Sequence, residues 1–429
     1  MNQGLVAVIF LVGMLFFMGI GVPLAFALVL TGASMAYALG FWDTQLFAQN
    51  LVAGVDSFPL LAVPFFILAG ELMNAGGISS RIIAMAQAWV GHIKGGLGFV
   101  VIGAAILMAS MSGSALADTA SLATILLPMM RQAGYPLDKS AGLIASGGII
   151  APIIPPSMPF VVYGVTTNTS ISALFLSGIV PGLIMGAGLI IAWKLVVRKT
   201  DLQPGVPLPW AGRIKATARA FWAILMPVII IGGMKTGVFT PTEAAVVASV
   251  YALVVALFVH REMSFGQLRG VLVRAAKTTA IVMFLVAGAQ VASYMITLAD
   301  LPATLTEWLG PLVDHPRVLM ALMMFALVVI GTALDLTPTI LIMAPVMLPI
   351  ATQAGIDPVY FGLMFVLNGA IGLITPPVGT VLNVVAGVGR MRLEQVVRGV
   401  NPYLFTYLLI LALFVVFPQI VTAPVAWMR

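Results

Sequence analysis

The stretch Met111-Ser-Gly-Ser-Ala-Leu-Ala-Asp-Thr119 lies in the middle of an apolar run that extends over residues 97–130. A second apolar run, 318–350, is interrupted in the same way by Gly331-Thr-Ala-Leu-Asp-Leu-Thr337. A single spanning helix needs roughly 20 predominantly apolar residues, which neither run supplies without its polar break. Non-helical backbone is tolerated at membrane depth only where protein or a wet cavity covers it. The two stretches therefore predict two re-entrant hairpins, each entering and leaving the membrane on one side.

The composition of the chain is that of a membrane protein. Of its 429 residues, 61% are hydrophobic and only 8% are charged, whereas soluble domains carry about 25% charged residues. There is no cysteine and there are three scattered histidines, which excludes a disulfide framework, a thiolate metal site and a histidine-rich metal centre. Further apolar segments with the length of single spans lie near 5–22, 24–41, 58–75, 140–157, 172–193, 219–236, 241–259, 278–298, 359–377 and 402–420.

The distribution of positive charge predicts the orientation of these spans. If the loop 195–218 is cytoplasmic, 17 of the 20 Lys and Arg residues lie inside, and only Lys235, Arg317 and Arg429 lie outside. Cytoplasmic loops of membrane proteins are enriched in Lys and Arg. We therefore expect both termini on the outer side of the bilayer, and we assign the net charge of +6 to orientation, with no nucleic-acid partner.

An internal repeat is visible at a separation of 221 residues, where Pro128 matches Pro349 and Pro155-Pro156 matches Pro376-Pro377. Because each half has an odd number of single spans, the second half is inverted relative to the first. We expect an all-α polytopic membrane protein with two inverted-topology repeats, each of about five spans plus one re-entrant hairpin. In such folds the broken helices place a binding site near the bilayer midplane.

Six motifs are distributed over essentially the whole chain: Ala62-Val-Pro-Phe-Phe-Ile-Leu-Ala-Gly70, Gly113-Ser-Ala-Leu-Ala-Asp-Thr119, Ile150-Ala-Pro-Ile-Ile-Pro-Pro-Ser157, Thr240-Pro-Thr-Glu-Ala-Ala245, Leu334-Asp-Leu-Thr-Pro338 and Gly372-Leu-Ile-Thr-Pro-Pro-Val-Gly379. By these motifs the chain resembles the large membrane subunit, of the DctM type, of tripartite ATP-independent periplasmic (TRAP) transporters. The resemblance implies a sodium-driven importer of organic acids in the bacterial inner membrane that works by an elevator motion. The outer side, on which the charge distribution predicts both termini, is then periplasmic. The resemblance also implies two partners, a small four-helix membrane subunit and a periplasmic substrate-binding protein.

The expected organisation has six segments, with connector helices at 78–92 and 300–313. They are 1–94 (scaffold spans and connector helix of repeat 1), 95–170 (transport-domain hairpin 1 and broken helix), 171–218 (closing span and cytoplasmic loop), 219–316 (scaffold spans and connector helix of repeat 2), 317–390 (transport-domain hairpin 2 and broken helix) and 391–429 (closing span).

The two hairpin tips carry the main candidate residues. A carboxylate at the bilayer centre costs about 2.5–3.5 kcal/mol on insertion scales, so Asp118 and Asp335 are functional candidates by default. The same tips supply the hydroxyl groups of Ser112, Ser114, Thr119, Thr332 and Thr337. Asp and Ser also cap helices, and we expect capping in addition to a functional role.

The paired prolines Pro155, Pro156, Pro376 and Pro377 interrupt their helices, because proline lacks an N–H group and clashes with the preceding turn. Sodium is a hard cation, and hard cations prefer oxygen ligands such as the carbonyl groups that these breaks release. We therefore expect two pseudo-symmetric sodium sites instead of simple kinks, with no other metal. The expected ligands are Ser112, Gly113, Thr119, Gly148, Pro152, Gly331, Thr332, Asp335, Thr337, Asn368, Gly372 and Thr375.

The expected substrate site contains no Arg or Lys, since the predicted topology leaves none near the midplane. Hydroxyl groups, backbone N–H groups, half-helix ends and bound sodium then have to supply the counter-charge. We expect Ser112, Ser114, Asp118 and Ser157 to bind the organic acid, which the sequence leaves open between a C4-dicarboxylate, a sialic acid and another sugar acid. No catalytic residue and no cofactor are expected apart from the coupling ion.

Two other functional classes remain. A self-sufficient sodium/carboxylate symporter or sodium/proton antiporter of related architecture would use Asp118 and Asp335 as ion or proton carriers. An intramembrane enzyme is disfavoured, because the chain has no HExxH motif and no Ser/His arrangement. The Thr240-Pro-Thr-Glu243 signature predicts a capping box at a helix start.

Overall fold

The computed structural model describes residues 3–198, 200–299, 312–332 and 334–428, and these ranges contain helices and turns but no strand. The predicted all-helical fold is thereby confirmed. The helices are α1 (Gln3–Gly19), α2 (Leu24–Leu39), α3 (Thr44–Val55), α4 (Ala62–Ala75), α5 (Ile78–Val90), α6 (Gly96–Ser112), α7 (Ala115–Gln132), α8 (Leu137–Gly148), α9 (Met158–Thr167), α10 (Ile171–Val197), α11 (Trp210–Lys235), α12 (Pro241–Val254), α13 (Phe265–Leu298), α14 (Pro316–Gly331), α15 (Leu336–Gln353), α16 (Pro358–Gly372), α17 (Thr380–Gly389), α18 (Leu393–Val416) and α19 (Gln419–Met428).

Seven helical segments of the described chain are long and apolar enough to cross a membrane. Two of them, Phe58–Ala75 and Pro241–Val259, have the bounds that the sequence predicted. The helix predicted at 278–298 begins earlier, at Phe265. The reason is a capping box, in which the Ser264 hydroxyl accepts the Gln267 N–H and the Gln267 side chain accepts the Ser264 N–H.

Both predicted hairpins are present as helix pairs that pack against each other, α6 with α7 and α14 with α15. The first turn uses Gly113, whose φ of +61° is in the left-handed region that glycine favours. Ser114 then caps α7 by accepting the N–H of Ala117. In the second hairpin, α14 ends at Gly331 and α15 begins at Leu336, whose N–H donates to the Asp335 carboxylate at 2.9 Å.

The two broken helices are also present, and they join the two repeats. The first is α8 and α9, separated by residues 149–157, and the second is α16 and α17, separated by residues 373–379. Each hairpin packs on the first half of the broken helix in its own repeat and on the second half of the other one. Thus α7 contacts α8 and α17, and α15 contacts α16 and α9. This reciprocal packing gives the two repeats one common core.

The remaining helices form two groups around this core. Helices α1–α5 and α11–α13 pack mainly on one another, whereas α10 and α18 pack on each other and on the hairpins or broken helices. An ion pair of 2.9 Å between Glu71 of α4 and Arg274 of α13 joins members of the first group. The six segment boundaries stay a prediction, and most of the connector helix expected at 300–313 lies outside the described residues.

The expected connector helix at 78–92 is present as α5, and both of its ends are attached to the first group. At its start, Arg81 forms an ion pair of 2.6 Å with Glu262. At its end, the Trp89 indole donates to the Thr217 hydroxyl at 2.9 Å, and the Arg213 guanidinium lies 5.9 Å from the Trp89 ring centre. Such cation–π contacts stabilise by about 0.5–1 kcal/mol where they are exposed.

Two short helices were not predicted, α3 and α19. Helix α3 begins where the Asp43 carboxylate accepts the N–H groups of Gln45 and Leu46, and Asp is a strong residue for this position. The predicted capping box at Thr240 is confirmed, because the Glu243 carboxylate accepts the Thr240 N–H at 2.8 Å while the Thr240 hydroxyl accepts the Glu243 N–H at 3.3 Å.

Candidate functional site

The tip of the first hairpin is held by a hydrogen bond across its turn. The Ser112 hydroxyl donates to one carboxylate oxygen of Asp118 at 2.5 Å and accepts the backbone N–H of Ser114 at 3.1 Å. Asp118 is only 1% exposed. Its second carboxylate oxygen has no hydrogen-bond partner among the described residues. A buried acceptor without a partner costs about 1–3 kcal/mol, and more when it is charged, which makes this oxygen a candidate ligand atom.

The first tip lies directly against the first helix break. A Cβ atom placed on Gly113 would lie 2.6 Å from the carbonyl oxygen of Pro156 and 3.1 Å from the backbone N of Met158. Ser157 is fully buried there and caps α9, because its hydroxyl donates to the Pro152 carbonyl and accepts the Phe160 N–H. The structure therefore brings the tip and the break together, and it places the Ser157 hydroxyl in internal hydrogen bonds.

A second contact between hairpin and broken helix lies one turn further along α7. A Cβ atom on Gly148 would overlap the Thr119 hydroxyl oxygen and would lie 2.9 Å from the Thr119 Cβ. The hydroxyl oxygens of Thr119 and Ser146 are both buried and lack a partner within the described chain. The Tyr407 hydroxyl donates to the Ser146 carbonyl at 2.7 Å and so fixes the α8 backbone. The Thr119 hydroxyl thus lies at the contact between α7 and α8.

The second hairpin meets its own break in a similar way. Gly331 and Gly372 are in contact, since a Cβ atom on Gly372 would lie 2.9 Å from the Gly331 Cα. Asp335 caps α15 and its carbonyl accepts the Thr339 hydroxyl at 2.8 Å. The Thr337 side chain is half-buried in the first turn of α15. This tip therefore also lies at a helix break, with a carboxylate beside it.

Asn368 is a fully buried polar residue of the second repeat. Its amide nitrogen donates to the Met324 carbonyl at 2.5 Å. Its amide oxygen is left without a partner in the described part of the chain, as is the Thr380 hydroxyl oxygen just after the second break. The Thr332 and Thr375 hydroxyls instead donate to carbonyls of their own helices, Val329 and Ile371. The Asn368 oxygen is thus one available acceptor in this repeat.

The two breaks differ in how well they are enclosed. Residues 149–157, including Pro152, Pro155 and Pro156, are all buried. In the second break Pro376 is half-buried, and Pro377 and Val378 are exposed. Each repeat therefore has a hairpin tip at a helix break, but in this conformation only the first break is fully covered by protein.

The chemistry of these residues suits a small cation better than a multivalent metal. No group of three or more His, Asp or Glu side chains that could hold a metal ion occurs in the described ranges. The unpartnered atoms of Asp118, Thr119, Ser146 and Asn368 are all oxygens, the ligands that hard cations take. The tip stretches 111–119 and 331–337 contain no Lys or Arg, so an anion bound there would need a cation or hydrogen-bond donors.

One contributor to the site was missed by sequence reasoning. Gly70 lies against the first tip, where a Cβ atom would be 3.6 Å from the Ser112 Cα. The only signal for Gly70 was its place at the end of the motif that begins at Ala62, where a small residue permits close helix packing.

The chain matches known transporter subunits over nearly its whole length. The family model of the tripartite ATP-independent periplasmic transporter, DctM component, matches residues 11–420. The 2,3-diketo-L-gulonate TRAP transporter large permease protein YiaN of Escherichia coli is 52% identical over 410 residues, which cover 96% of each chain. The sialic acid TRAP transporter large permease protein SiaM of Vibrio cholerae is 41% identical over 402 residues, covering 93% of each.

The fold also matches a solved structure. The crystal structure of the YdaH transporter of Alcanivorax borkumensis, reported to have an unusual topology, superposes with a TM-score of 0.63. The match covers 94% of this chain and 97% of that one at 14% sequence identity, so it speaks for the fold alone. Together with the seven apolar spans and the family match, it identifies a multi-pass membrane protein. The chain belongs to the DctM family, the large permease subunits of TRAP transporters.

Proposed function

We propose that this subunit imports an organic acid together with sodium ions, and that the acid is delivered by a periplasmic binding protein. The observation that carries the proposal is the pair of buried oxygens at the first tip and break, those of Asp118 and Thr119, which lack partners among the described residues. A bound sodium ion would satisfy them, and it would also supply the positive charge that a carboxylate needs near the tip. Asn368 offers the corresponding oxygen in the second repeat.

Two sodium ions per acid give a larger driving force than one. A monoanion carried with one sodium is electroneutral and gains nothing from the membrane potential. A second sodium makes the complex singly positive, which is worth about 2.3 kcal/mol per 100 mV. A tenfold sodium gradient adds about 1.4 kcal/mol per ion. Together these contributions amount to about 5 kcal/mol per transport cycle, which favours the two-site arrangement.

The coupling is tested by reconstituting the chain with its small subunit and its secreted binding protein in liposomes. Sodium-22 and labelled acid are counted in the same vesicles, and we expect at least two sodium ions per acid. A ratio of one or less would refute the two-site proposal, and uptake that ignores sodium would refute coupling altogether. Uptake without any binding protein would favour the self-sufficient symporter instead.

Among organic acids, we propose a sugar acid as the cargo. The relative with 52% identity over 96% of the chain is named for 2,3-diketo-L-gulonate, and another is named for sialic acid. Both molecules combine one carboxylate with several hydroxyl groups, which suits a site of hydroxyls and backbone groups without Arg or Lys. Thermal-shift screening of the partner binding protein against sugar acids and dicarboxylates tests this choice. Stabilisation by dicarboxylates alone would contradict it.

We further propose an elevator motion, in which the hairpins and broken helices slide past α1–α5 and α11–α13. Because the chain has no cysteine, crosslinks can be placed in the natural sequence. A Cβ on Gly103 of α6 would lie 3.9 Å from the Ala86 Cβ of α5, within the range of about 3.5–4.5 Å that a disulfide requires. Oxidising the pair Gly103→Cys and Ala86→Cys should stop uptake, and reduction should restore it. Full uptake by the oxidised protein would contradict the motion.

The matched control for that crosslink joins two helices of the moving group. A Cβ on Gly147 of α8 would lie 3.2 Å from the Ala105 Cβ of α6, so a shift of about 0.3 Å brings this pair into the range for a disulfide. Oxidation of the double variant Gly147→Cys and Ala105→Cys should leave uptake unchanged, because both helices are expected to move together.

A further inference from the structure

A cavity of about 290 Å³ lies outside the tip region, between the end of α7 and the end of α17. Thr124, Leu127 and Arg131 line it from α7, and Gly389 and Arg390 line it from the end of α17. The cavity therefore lies where the first repeat meets the second, and none of its residues belongs to the expected sodium or substrate sites.

The position of this cavity along α7 places it at a membrane surface. Arg131 follows Thr119 by 12 residues of one continuous helix, which corresponds to about 18 Å at 1.5 Å per residue. Half of the hydrocarbon core of a bilayer is about 15 Å thick. If the tip lies near the midplane, the cavity lies at the membrane surface, on the side that the distribution of Lys and Arg predicts to be cytoplasmic.

The charge at the cavity is positive and is not balanced by the protein. Arg131 and Arg390 line it, and no Asp or Glu does. The ion pairs in the described part of the chain are Arg81 with Glu262 and Arg274 with Glu71, so neither Arg131 nor Arg390 pairs with a described carboxylate. Arg131 uses one of its N–H groups, which donates to the Gly389 carbonyl at 3.1 Å. A guanidinium has five such donors, and the others remain for a ligand.

The conformation of the backbone at Arg390 places this second arginine at the cavity. Arg390 follows the last residue of α17 with a φ of +49°, in the left-handed region, where Gly and Asn are the usual residues. We propose that the cavity is an oxyanion site at the cytoplasmic membrane surface, with Arg131 and Arg390 as its ligands. The oxyanion is either the carboxylate of the transported acid as it leaves or the phosphate of an anionic lipid, since both present oxygen pairs that guanidinium groups bind.

A simpler role for Arg131 is to cap α17 through the Gly389 carbonyl. The variant Arg131→Gln separates the two roles, because its amide still donates a hydrogen bond but carries no charge. Arg390→Asn removes the second charge and retains a residue suited to the left-handed backbone. Arg269→Gln is the matched control, since Arg269 is an exposed residue of α13 and does not line the cavity.

The test measures binding in the purified full-length chain, without a sodium gradient, so it can fail while sodium-coupled import stands. The unfolding midpoint is followed in phosphatidylcholine nanodiscs against added inorganic phosphate and succinate, at constant sodium and ionic strength. We expect the wild type and Arg269→Gln to be stabilised, with the anion affinity reduced at least about tenfold by Arg131→Gln and by Arg390→Asn.

A second arm identifies the source of the oxyanion. If the ligand is a lipid headgroup, phosphatidylglycerol nanodiscs stabilise the wild type and the soluble anions do not, and the two arginine variants lose that stabilisation. If the ligand is the acid, the soluble anions act and phosphatidylglycerol adds nothing. Equal responses of Arg131→Gln, Arg390→Asn and Arg269→Gln in both arms would overturn the proposal and leave Arg131 as a cap.

Discussion

The contact between Gly148 and Thr119 offers a sharp test of the first sodium site. Gly148→Ala adds one methyl group, which would overlap the Thr119 hydroxyl and lie 2.9 Å from the Thr119 Cβ. Nonbonded carbon atoms prefer separations of about 3.5–4.0 Å. Thr119 must therefore move by roughly 0.6 Å or more. Ligand distances in metal sites are held within about 0.2 Å, so the hydroxyl should be lost as a ligand.

The energetic balance of this substitution is small enough for the protein to fold. Replacing a helical glycine by alanine contributes about 0.5–1 kcal/mol in favour of the folded state, and overpacking costs about 1–3 kcal/mol. We expect a net loss of about 0–2.5 kcal/mol of stability but a fall of at least about tenfold in sodium affinity, equivalent to about 1.4 kcal/mol. Sodium-22 binding to the purified chain measures the second quantity directly.

The control for Gly148→Ala is the same substitution in the first arm of the hairpin. Gly103→Ala places its methyl group 3.9 Å from the nearest neighbour, the Ala86 Cβ, which is an ordinary contact. We expect sodium binding of Gly103→Ala to equal that of the wild type. If Gly148→Ala also binds sodium with wild-type affinity, then Thr119 is not a ligand and the assignment of the first site is refuted.

Three further predictions address other parts of the molecule. Asp118→Asn keeps the hydrogen bond across the first tip but removes its charge, and sodium-dependent uptake should fall at least about tenfold; unchanged dependence would rule out Asp118 as a sodium or substrate ligand. Thr240→Ala breaks the capping box with Glu243 and should cost about 1 kcal/mol of stability, seen as a lower unfolding midpoint, while Thr240→Ser should keep it. Burial lowers the pKa of His260 below its ordinary 6.5, and the charge of Arg81 lowers it further. The unfolded chain therefore binds a proton there that the folded chain does not, so stability should fall as the pH drops below 6.5. His260→Gln should flatten this part of the stability profile.

The two hairpins and the two breaks could be predicted because each has a strong local cause. Polar stretches interrupt the apolar runs 97–130 and 318–350, and paired prolines cannot continue a helix. The confirmed capping box at Thr240 follows equally from a local pattern. Helix α3 was not predicted because it is neither long enough nor apolar enough to resemble a membrane span.

The contacts of the candidate site were harder to predict because they join residues distant in sequence. The matches at a separation of 221 residues indicate a repeat, and the odd number of spans in each half indicates its inversion, but neither says that α7 packs on α17 or α15 on α9. Asn368 donates to Met324, 44 residues away, and no periodic pattern encodes such a pair. The contact of the Thr119 hydroxyl with Gly148 depends on how α7 meets α8, which is a property of the packed core.

The two attachments of α5 have a consequence for how the first hairpin can be displaced. Because α5 is attached near both ends, at Arg81 and at Trp89, it has to move together with the helices to which it is attached. Gly95 belongs to the other side of this boundary, since its carbonyl accepts the indole N–H of Trp193 at 2.8 Å. In the proposed elevator motion, residues 90–95 connect the two sides, so we expect the backbone to change its conformation there. Gly91 lies in that stretch. A methyl group there would come within 2.5 Å of the Gln87 carbonyl oxygen, so we expect Gly91→Ala to restrict changes in the conformation of this segment.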